Sequence, residues 1–164
     1  MTKNGARTSV VFVCTGNICR SPTAEGIFIR KVADAGLAGV IAIDSAGTHG
    51  YHIGEAPDPR SIRHAAGRGY DLSGLRARRF DKIDFERFDL VVAMDVANRE
   101  HLAHMVRPSS GHKLKMMMAY SKRFSEPEVP DPYYGGADGF ERVIDLLEDA
   151  TEGLLRELRV ALGG

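Results

Sequence analysis

Cys14 and Arg20 stand at a Cys-x5-Arg spacing in the run Cys14-Thr15-Gly16-Asn17-Ile18-Cys19-Arg20, and Ser21-Pro22 follows directly. The chemistry these residue types offer is capture of a phosphoryl group. A cysteine attacks as its thiolate. Peptide N–H groups that converge within a tight turn cradle an oxyanion. Thr15, Gly16, Asn17, Ile18, Cys19 and Arg20 supply such groups, and Gly16 and Asn17 permit the curvature. The planar guanidinium of Arg20 can hold two oxygens of one phosphate. A thiol on the floor of this cradle is surrounded by donors and positive charge, each of which favours the thiolate. The Ser21 hydroxyl can donate to the sulfur and stabilise it as anion and as leaving group.

An aryl phosphate also needs a proton delivered to its leaving oxygen. Two aspartates are candidates. Asp95 follows an apolar run and reads better as the N-cap of the next helix. Asp131 lies between Pro130 and Pro132, which stiffen the chain on either side of it. Tyr133 and Tyr134 come straight after and can wall a slot for a flat ring.

The elements that must position these groups can be read from apolar patterning. Val10-Val11-Phe12-Val13 is a short β-branched run, a strand buried on both faces. Ser21 is expected as N-cap and Pro22 as first residue of a helix carrying Ala24, Ile27, Phe28, Val32 and Ala35, closed by Gly36. Val40 to Ile43 is a second strand, and a loop rich in Gly and Pro runs from Ala46 to Pro59. Ile62, Ala65 and Ala66 mark a helix that stops near Gly67 or Gly69. Leu90 to Ala93 is a third strand, Val96 to Val106 a helix, and Leu114 to Met118 a fourth strand. A loop with Pro127, Pro130 and Pro132 precedes the final helix. There Phe140, Val143, Ile144, Leu147, Thr151, Leu154, Leu155 and Leu158 form one stripe. Strands alternating with helices imply an α/β domain: an open four-stranded parallel sheet with helices on both faces. Ligands bind such sheets outside the carboxyl ends of the strands, which is where the Cys14 loop falls.

Composition narrows the possibilities. The chain has 164 residues, a length suited to one domain, expected over 9–164 after a flexible segment at 1–8. Lys plus Arg and Asp plus Glu each number 22, so the net charge is zero and a nucleic-acid partner is not expected. No segment reads as a membrane span or an export signal. Two cysteines without such a signal suggest the cytoplasm. His49 with His52 and His101 with His104 are spaced like ligand pairs, yet no Cys, Asp or Glu set completes either, so no metal or other cofactor is expected. The basic stretch from Arg60 to Arg87, including Arg76-Ala77-Arg78-Arg79, and the acidic one from Glu126 to Glu157 read as solvated surface.

The run from Val13 through Cys14-Thr-Gly-Asn-Ile-Cys-Arg-Ser-Pro-Thr-Ala to Glu25 resembles the signature of the low-molecular-weight protein tyrosine phosphatases. Ser45-Ala46-Gly47-Thr48 and Asp131-Pro132-Tyr133-Tyr134-Gly135 resemble two further stretches of that family, in the same order. The resemblance implies a phosphate-binding loop after the first strand of a four-stranded parallel sheet. It implies hydrolysis of protein phosphotyrosine by two steps, with Cys14 as nucleophile, a cysteinyl-phosphate intermediate, Arg20 as clamp and Asp131 as general acid and then base. Thr15, Tyr51, Tyr133 and Tyr134 would line the substrate pocket. Inorganic phosphate and other oxyanions would compete with the tyrosine-phosphorylated protein. Asn17 would be supported by Ser45 and a histidine, but the stretch from Leu72 to Arg78 has none, offering Gly74 and Leu75 instead.

Cys19, at the far end of the loop, would trap oxidised Cys14 as a disulfide, and the resemblance supports this. A thiol-dependent arsenate reductase shares the loop in the family picture but needs further cysteines to relay a disulfide. A non-catalytic phosphotyrosine-binding module would be expected to lack Cys14 or Asp131, and both are present.

Overall fold

A computed structural model describes residues 5–163 of the chain. The first strand, β1, runs from Thr8 to Cys14, and from Ser9 onward every residue is buried. Period-two alternation splits its side chains between two cores. Val10, Phe12 and Cys14 face one side, with Ala24, Ile27 and Phe28 of α1 (Arg20–Asp34) and a row from α5 (Ala137–Ala161) that includes Ile144, Leu147 and Leu154. Val11 and Val13 face the other, with Phe80, Phe85, Phe88 and Leu102. A strand buried on both sides must be central, and it is. The sheet order is β2 (Ile41–Gly47), β1, β3 (Leu90–Ala93), β4 (Leu114–Met116), parallel throughout. The helices α2 (Pro59–Ala66), α3 (Asp84–Arg87) and α4 (Val96–Ala103) complete the fold.

The chain leaves β1 to one side through α1 and returns to the other side for β3. The carboxyl ends of β1 and β3 therefore flank a switch point, where open sheets bind ligands. Cys14 ends β1, and Asp95 stands two residues past the end of β3. At the neighbouring edge, Gly47 ends β2 against the loop that follows Cys14. A Cβ on Gly47 would lie 2.8 Å from the Thr15 carbonyl oxygen, so only glycine permits this approach.

Several boundaries depart from the sequence reading. Helix α1 starts at Arg20, with Cys19 in the cap position and no capping side chain. Ser21 and Pro22 thus lie inside the first turn. The Ser21 hydroxyl turns instead to Cys14 and Asn17, which outcompete the cap. The fourth strand ends at Met116, because Met117–Tyr120 form a 3-10 turn that buries Met117, Met118 and Tyr120 against α5. Helix α4 ends at Ala103, short of Val106, and α3 had no apolar period to announce it. Within the segment 1–8, Thr8 pairs with Ile41, and Arg7 N–H donates to Val40 O at 2.8 Å. Residues 1–4 of that segment lie outside the described residues.

Candidate active site

The loop from Cys14 to Arg20 is held from outside by its carbonyls. Cys14 O accepts from Thr48 N at 2.8 Å, Thr15 O from His49 N at 3.0 Å, Ile18 O from Asp58 N at 2.8 Å and Cys19 O from Thr23 N at 3.3 Å. In a trans peptide the N–H points opposite to the C=O. Carbonyls bonded outward therefore turn the N–H groups of Thr15, Gly16, Cys19 and Arg20 toward the inside of the loop. The first turn of α1 adds its free N–H groups and the positive end of its dipole.

Asn17 makes this curvature possible. Its φ is 59°, the only non-glycine residue in the left-handed region among the described residues, and asparagine tolerates that conformation better than most. Its buried amide is fully used. Nδ2 donates to Ser21 Oγ at 2.7 Å and Ser45 Oγ at 3.0 Å, and Oδ1 accepts from Arg78 N at 3.0 Å. The missing histidine is thus answered by a backbone N–H. Ser45 in turn donates to Glu25 Oε1 at 2.6 Å. Burial pushes the Glu25 carboxyl up to about 7, against the lowering effect of the Ser45 hydrogen bond.

Ser21 Oγ lies 3.0 Å from Cys14 Sγ and 3.3 Å from Ala46 O. Asn17 donates to it, so its single proton goes either to the Ala46 carbonyl or to the sulfur, and a thiolate is the stronger acceptor of the two. Cys14 is buried at the base of a cavity of about 310 Å³. Thr15, Gly16, Ile18, Cys19, Arg20, Tyr51, His52, Asp131, Tyr133 and Tyr134 complete its lining.

Arg20 is 2% exposed, a charge that must be paired. Nη1 donates to Asp95 Oδ2 at 2.6 Å and to Val129 O at 3.0 Å. Nη2 reaches Thr15 Oγ1 at 3.3 Å and lies 3.6 Å from Asp131 Oδ2. Burial opposes its charge, but the neighbouring Cys14, Asp95 and Asp131 outweigh burial and raise its pKa above that of ordinary arginine. Asp131 is about half exposed at the cavity mouth, with Oδ1 accepting from Tyr133 N at 3.1 Å.

Of the residues expected in the pocket, Thr15, Tyr51, Tyr133 and Tyr134 all line it, while Asn17, Ser21 and Ser45 stand behind the loop. Tyr51 is 68% exposed and stacks on His49 at 5.0 Å, and His49 leans on His101 at 5.2 Å. Cys14 and Cys19 are both free and buried. Burial pushes the Cys19 thiol up to about 12, despite a hydrogen bond with Ser61. No group of three metal-ligating side chains occurs among the described residues.

Sequence reasoning missed three contributors. Asp95 caps α4 as expected, Oδ1 accepting from Asn98 N at 2.7 Å, but its other oxygen anchors Arg20. Asn98 Nδ2 donates to Thr15 Oγ1 at 3.1 Å. His52 lines the pocket beside Gly16. Asp95 had a usable signal, its place two residues past the carboxyl end of a central strand.

Fold and site define a class: an open parallel α/β domain with a cysteine-and-arginine loop at the carboxyl end of its central strand. The profile of the low molecular weight phosphotyrosine protein phosphatases matches residues 9–162, and the chain belongs to that family. The low molecular weight protein-tyrosine-phosphatase of Streptomyces coelicolor is 44% identical over 158 residues, covering 94% of this chain and 96% of that one. The human low molecular weight phosphotyrosine protein phosphatase is 38% identical over 141 residues, covering 84% and 87%. Among solved structures, a protein tyrosine phosphatase from Entamoeba histolytica with Hepes in the active site superposes with a TM-score of 0.92 at 39% identity, covering 94% and 98%. The chain is a phosphatase of this kind, and no helix among its described residues is long and apolar enough to cross a membrane.

Proposed function

We propose that the protein hydrolyses phosphotyrosine in proteins through a cysteinyl-phosphate on Cys14. The observation that carries this reading is the Cys14 sulfur at the base of the cavity, 3.0 Å from a hydroxyl able to donate to it, with Arg20 and Asp131 on the same walls. The phosphate sits in the loop, its equatorial oxygens held by the N–H groups of Thr15, Gly16, Asn17, Ile18, Cys19 and Arg20 and by the Arg20 guanidinium. Charge on those oxygens is what the transition state must have stabilised. Cys14 attacks phosphorus in line as the P–O bond to the tyrosine oxygen breaks. Asp131 protonates that oxygen as it leaves. Water then attacks phosphorus, Asp131 takes its proton, and the Cys14 thiolate departs with the Ser21 hydrogen bond in place.

The aromatic lining of the cavity, Tyr51, Tyr133 and Tyr134, supports a preference for tyrosine. An aryl ring can run between Tyr51 and Tyr133 to the floor, whereas the shorter phosphoserine side chain stops above Cys14. Inorganic phosphate and other tetrahedral oxyanions occupy the same cradle as competitors. Nothing in these steps calls for a metal or cofactor. A cytoplasmic setting suits a thiol that must stay reduced, and Cys19 serves as the thiol that rescues Cys14 from over-oxidation. Cys14→Ser should abolish turnover while still binding phosphate, since a serine hydroxyl is a weak nucleophile in an unchanged cradle. Asp131→Asn should cost ~10²–10⁴ in kcat/KM on phenyl phosphate, the usual worth of general acid catalysis, and spare kcat/KM on esters with acidic leaving groups, whose attack step needs no proton. Turnover by Cys14→Ser above ~1% of wild type would move the nucleophile elsewhere.

A further inference from the structure

Asp131 stands on a loop and is about half exposed, so burial does not fix its position. Its loop is instead gripped at both ends. On the N-terminal side Val129 N–H donates to Met94 O at 2.8 Å, and Val129 O accepts from Arg20. On the C-terminal side, Tyr133 O accepts from Arg60 Nη2 at 3.0 Å. Arg60 is the first helical turn's cation in α2, far from Asp131 in sequence and outside the cavity lining.

Arg60 is itself rigidly held. Asp58 Oδ1 accepts from Arg60 Nε at 3.0 Å and Asp58 Oδ2 from Arg60 Nη2 at 2.9 Å, a two-point grip on a planar fork. Its guanidinium lies 4.7 Å from the Phe140 ring centre and 5.5 Å from that of Tyr133, within cation–π range of both. Asp58 is buried, and its N–H donates to Ile18 O in the phosphate-binding loop. Tyr133 N–H donates to the Asp131 carboxylate. The contacts therefore run without a break from Ile18 through Asp58, Arg60 and Tyr133 to Asp131 Oδ1.

We propose that Arg60 is a positioning residue for the reaction, holding the Asp131 loop at its working distance from the phosphate-binding loop; this rests on the reading of Asp131 as general acid. Arg60 touches neither phosphate nor leaving group. Its effect passes through the carboxyl alone, so in the attack step, which kcat/KM reports, it is felt only when a proton must be delivered to the leaving oxygen. Tethering at both ends removes loop freedom in advance, and a carboxyl displaced by about 1 Å forfeits up to ~10²-fold in rate.

The test is a double-mutant cycle with Arg60→Met, which keeps the stem and removes the donors, and Asp131→Asn. Turnover is followed on phenyl phosphate, a poor leaving group, and on dinitrophenyl phosphate, which needs no proton. Arg60→Met should lose ~10–100-fold in kcat/KM on phenyl phosphate and less than ~3-fold in kcat/KM on the dinitrophenyl ester, with phosphate inhibition unchanged. In the Asp131→Asn background it should cost nothing further. Arg60→Lys keeps the charge without the fork and should show the same split. Equal losses on both esters, or a full additional loss on top of Asp131→Asn, would overturn the positioning role and make Arg60 a substrate-binding or stability residue. If Asp131→Asn itself shows no leaving-group dependence, the acid assignment falls, and the positioning role with it.

Discussion

Asp95 meets Arg20 at 2.6 Å through one carboxylate oxygen while its other oxygen caps α4 by accepting from Asn98 N. One residue thus starts a helix and neutralises the buried guanidinium that lines the cavity. The two roles separate by substitution. Asparagine caps a helix as well as aspartate but cannot pair with Arg20. Asp95→Asn should weaken phosphate binding and lower kcat/KM by ~10-fold or more, consistent with loss of a charge-assisted hydrogen bond. Asp95→Ala should match that loss and be less stable than Asp95→Asn by ~0.5–2 kcal/mol in urea titration, the cost of a lost cap. Equal stability of the two variants would remove the capping role.

Asn17 combines an uncommon backbone with a fully used amide. Asn17→Gly keeps the left-handed conformation at no steric cost, and Asn17→Ala does not. The glycine variant should be the more stable by ~1–2 kcal/mol, the penalty for an ordinary residue in that region. Both should lose rate, because neither holds the Ser21 hydroxyl toward Cys14. If Asn17→Gly retains wild-type kcat, the amide network has no part in tuning the nucleophile.

Glu25 gives a pH signature. Its carboxyl is raised by burial from 4.5 in the unfolded chain to about 7 in the fold. The folded state then binds the proton more tightly, so the contribution is intact below pH ~4.5 and is lost as pH climbs through about 7. Glu25→Gln should be the more stable protein at pH 8 by ~2–3 kcal/mol, with the gap closing toward pH 5. Parallel stability profiles for the two proteins would contradict this.

Cys19 bears on oxidation. Burial holds its pKa at about 12, so at neutral pH it is a thiol and a slow attacking group. Peroxide should inactivate the enzyme by forming the Cys14 sulfenic acid, phosphate should protect, and a thiol reductant should restore activity. Recovery should improve when peroxide is applied at higher pH, as more Cys19 ionises, and Cys19→Ser should recover poorly at every pH. Equal recovery of wild type and Cys19→Ser would end the protective role.

The sheet and its loop were legible because they rest on local signals: a β-branched run, then Gly and Asn, then a helical period. Cys14 and Arg20 could be located because they sit at element boundaries that the pattern marks, and Asp131 because prolines flank it within a loop. Other features are set by long-range contacts with no local trace. Ser21-Pro22 reads as a helix cap, yet the Cys14 sulfur and the Asn17 amide claim the hydroxyl. The partner of Asn17 Oδ1 is a backbone N–H at Arg78, which any residue supplies, so a search for a side chain there could not find it. Asp95 was read correctly as a cap, and its second oxygen went unassigned because Arg20 lies far away in sequence. Arg60 vanished into a basic stretch read as solvated surface, since nothing local says that its fork closes on Asp58 and Tyr133.

The central claim is a phosphoryl group carried on Cys14, and the most direct measurement is acid-quenched mass spectrometry during turnover. Asp131→Asn, mixed with excess dinitrophenyl phosphate, should release phenolate in a burst close to one equivalent per chain, because attack needs no proton while hydrolysis of the intermediate lacks its base. The quenched protein should carry one added phosphoryl group, on the peptide containing Cys14, and Cys14→Ser should carry none. A steady release with no burst and no label, or a label on a peptide without Cys14, would contradict the account.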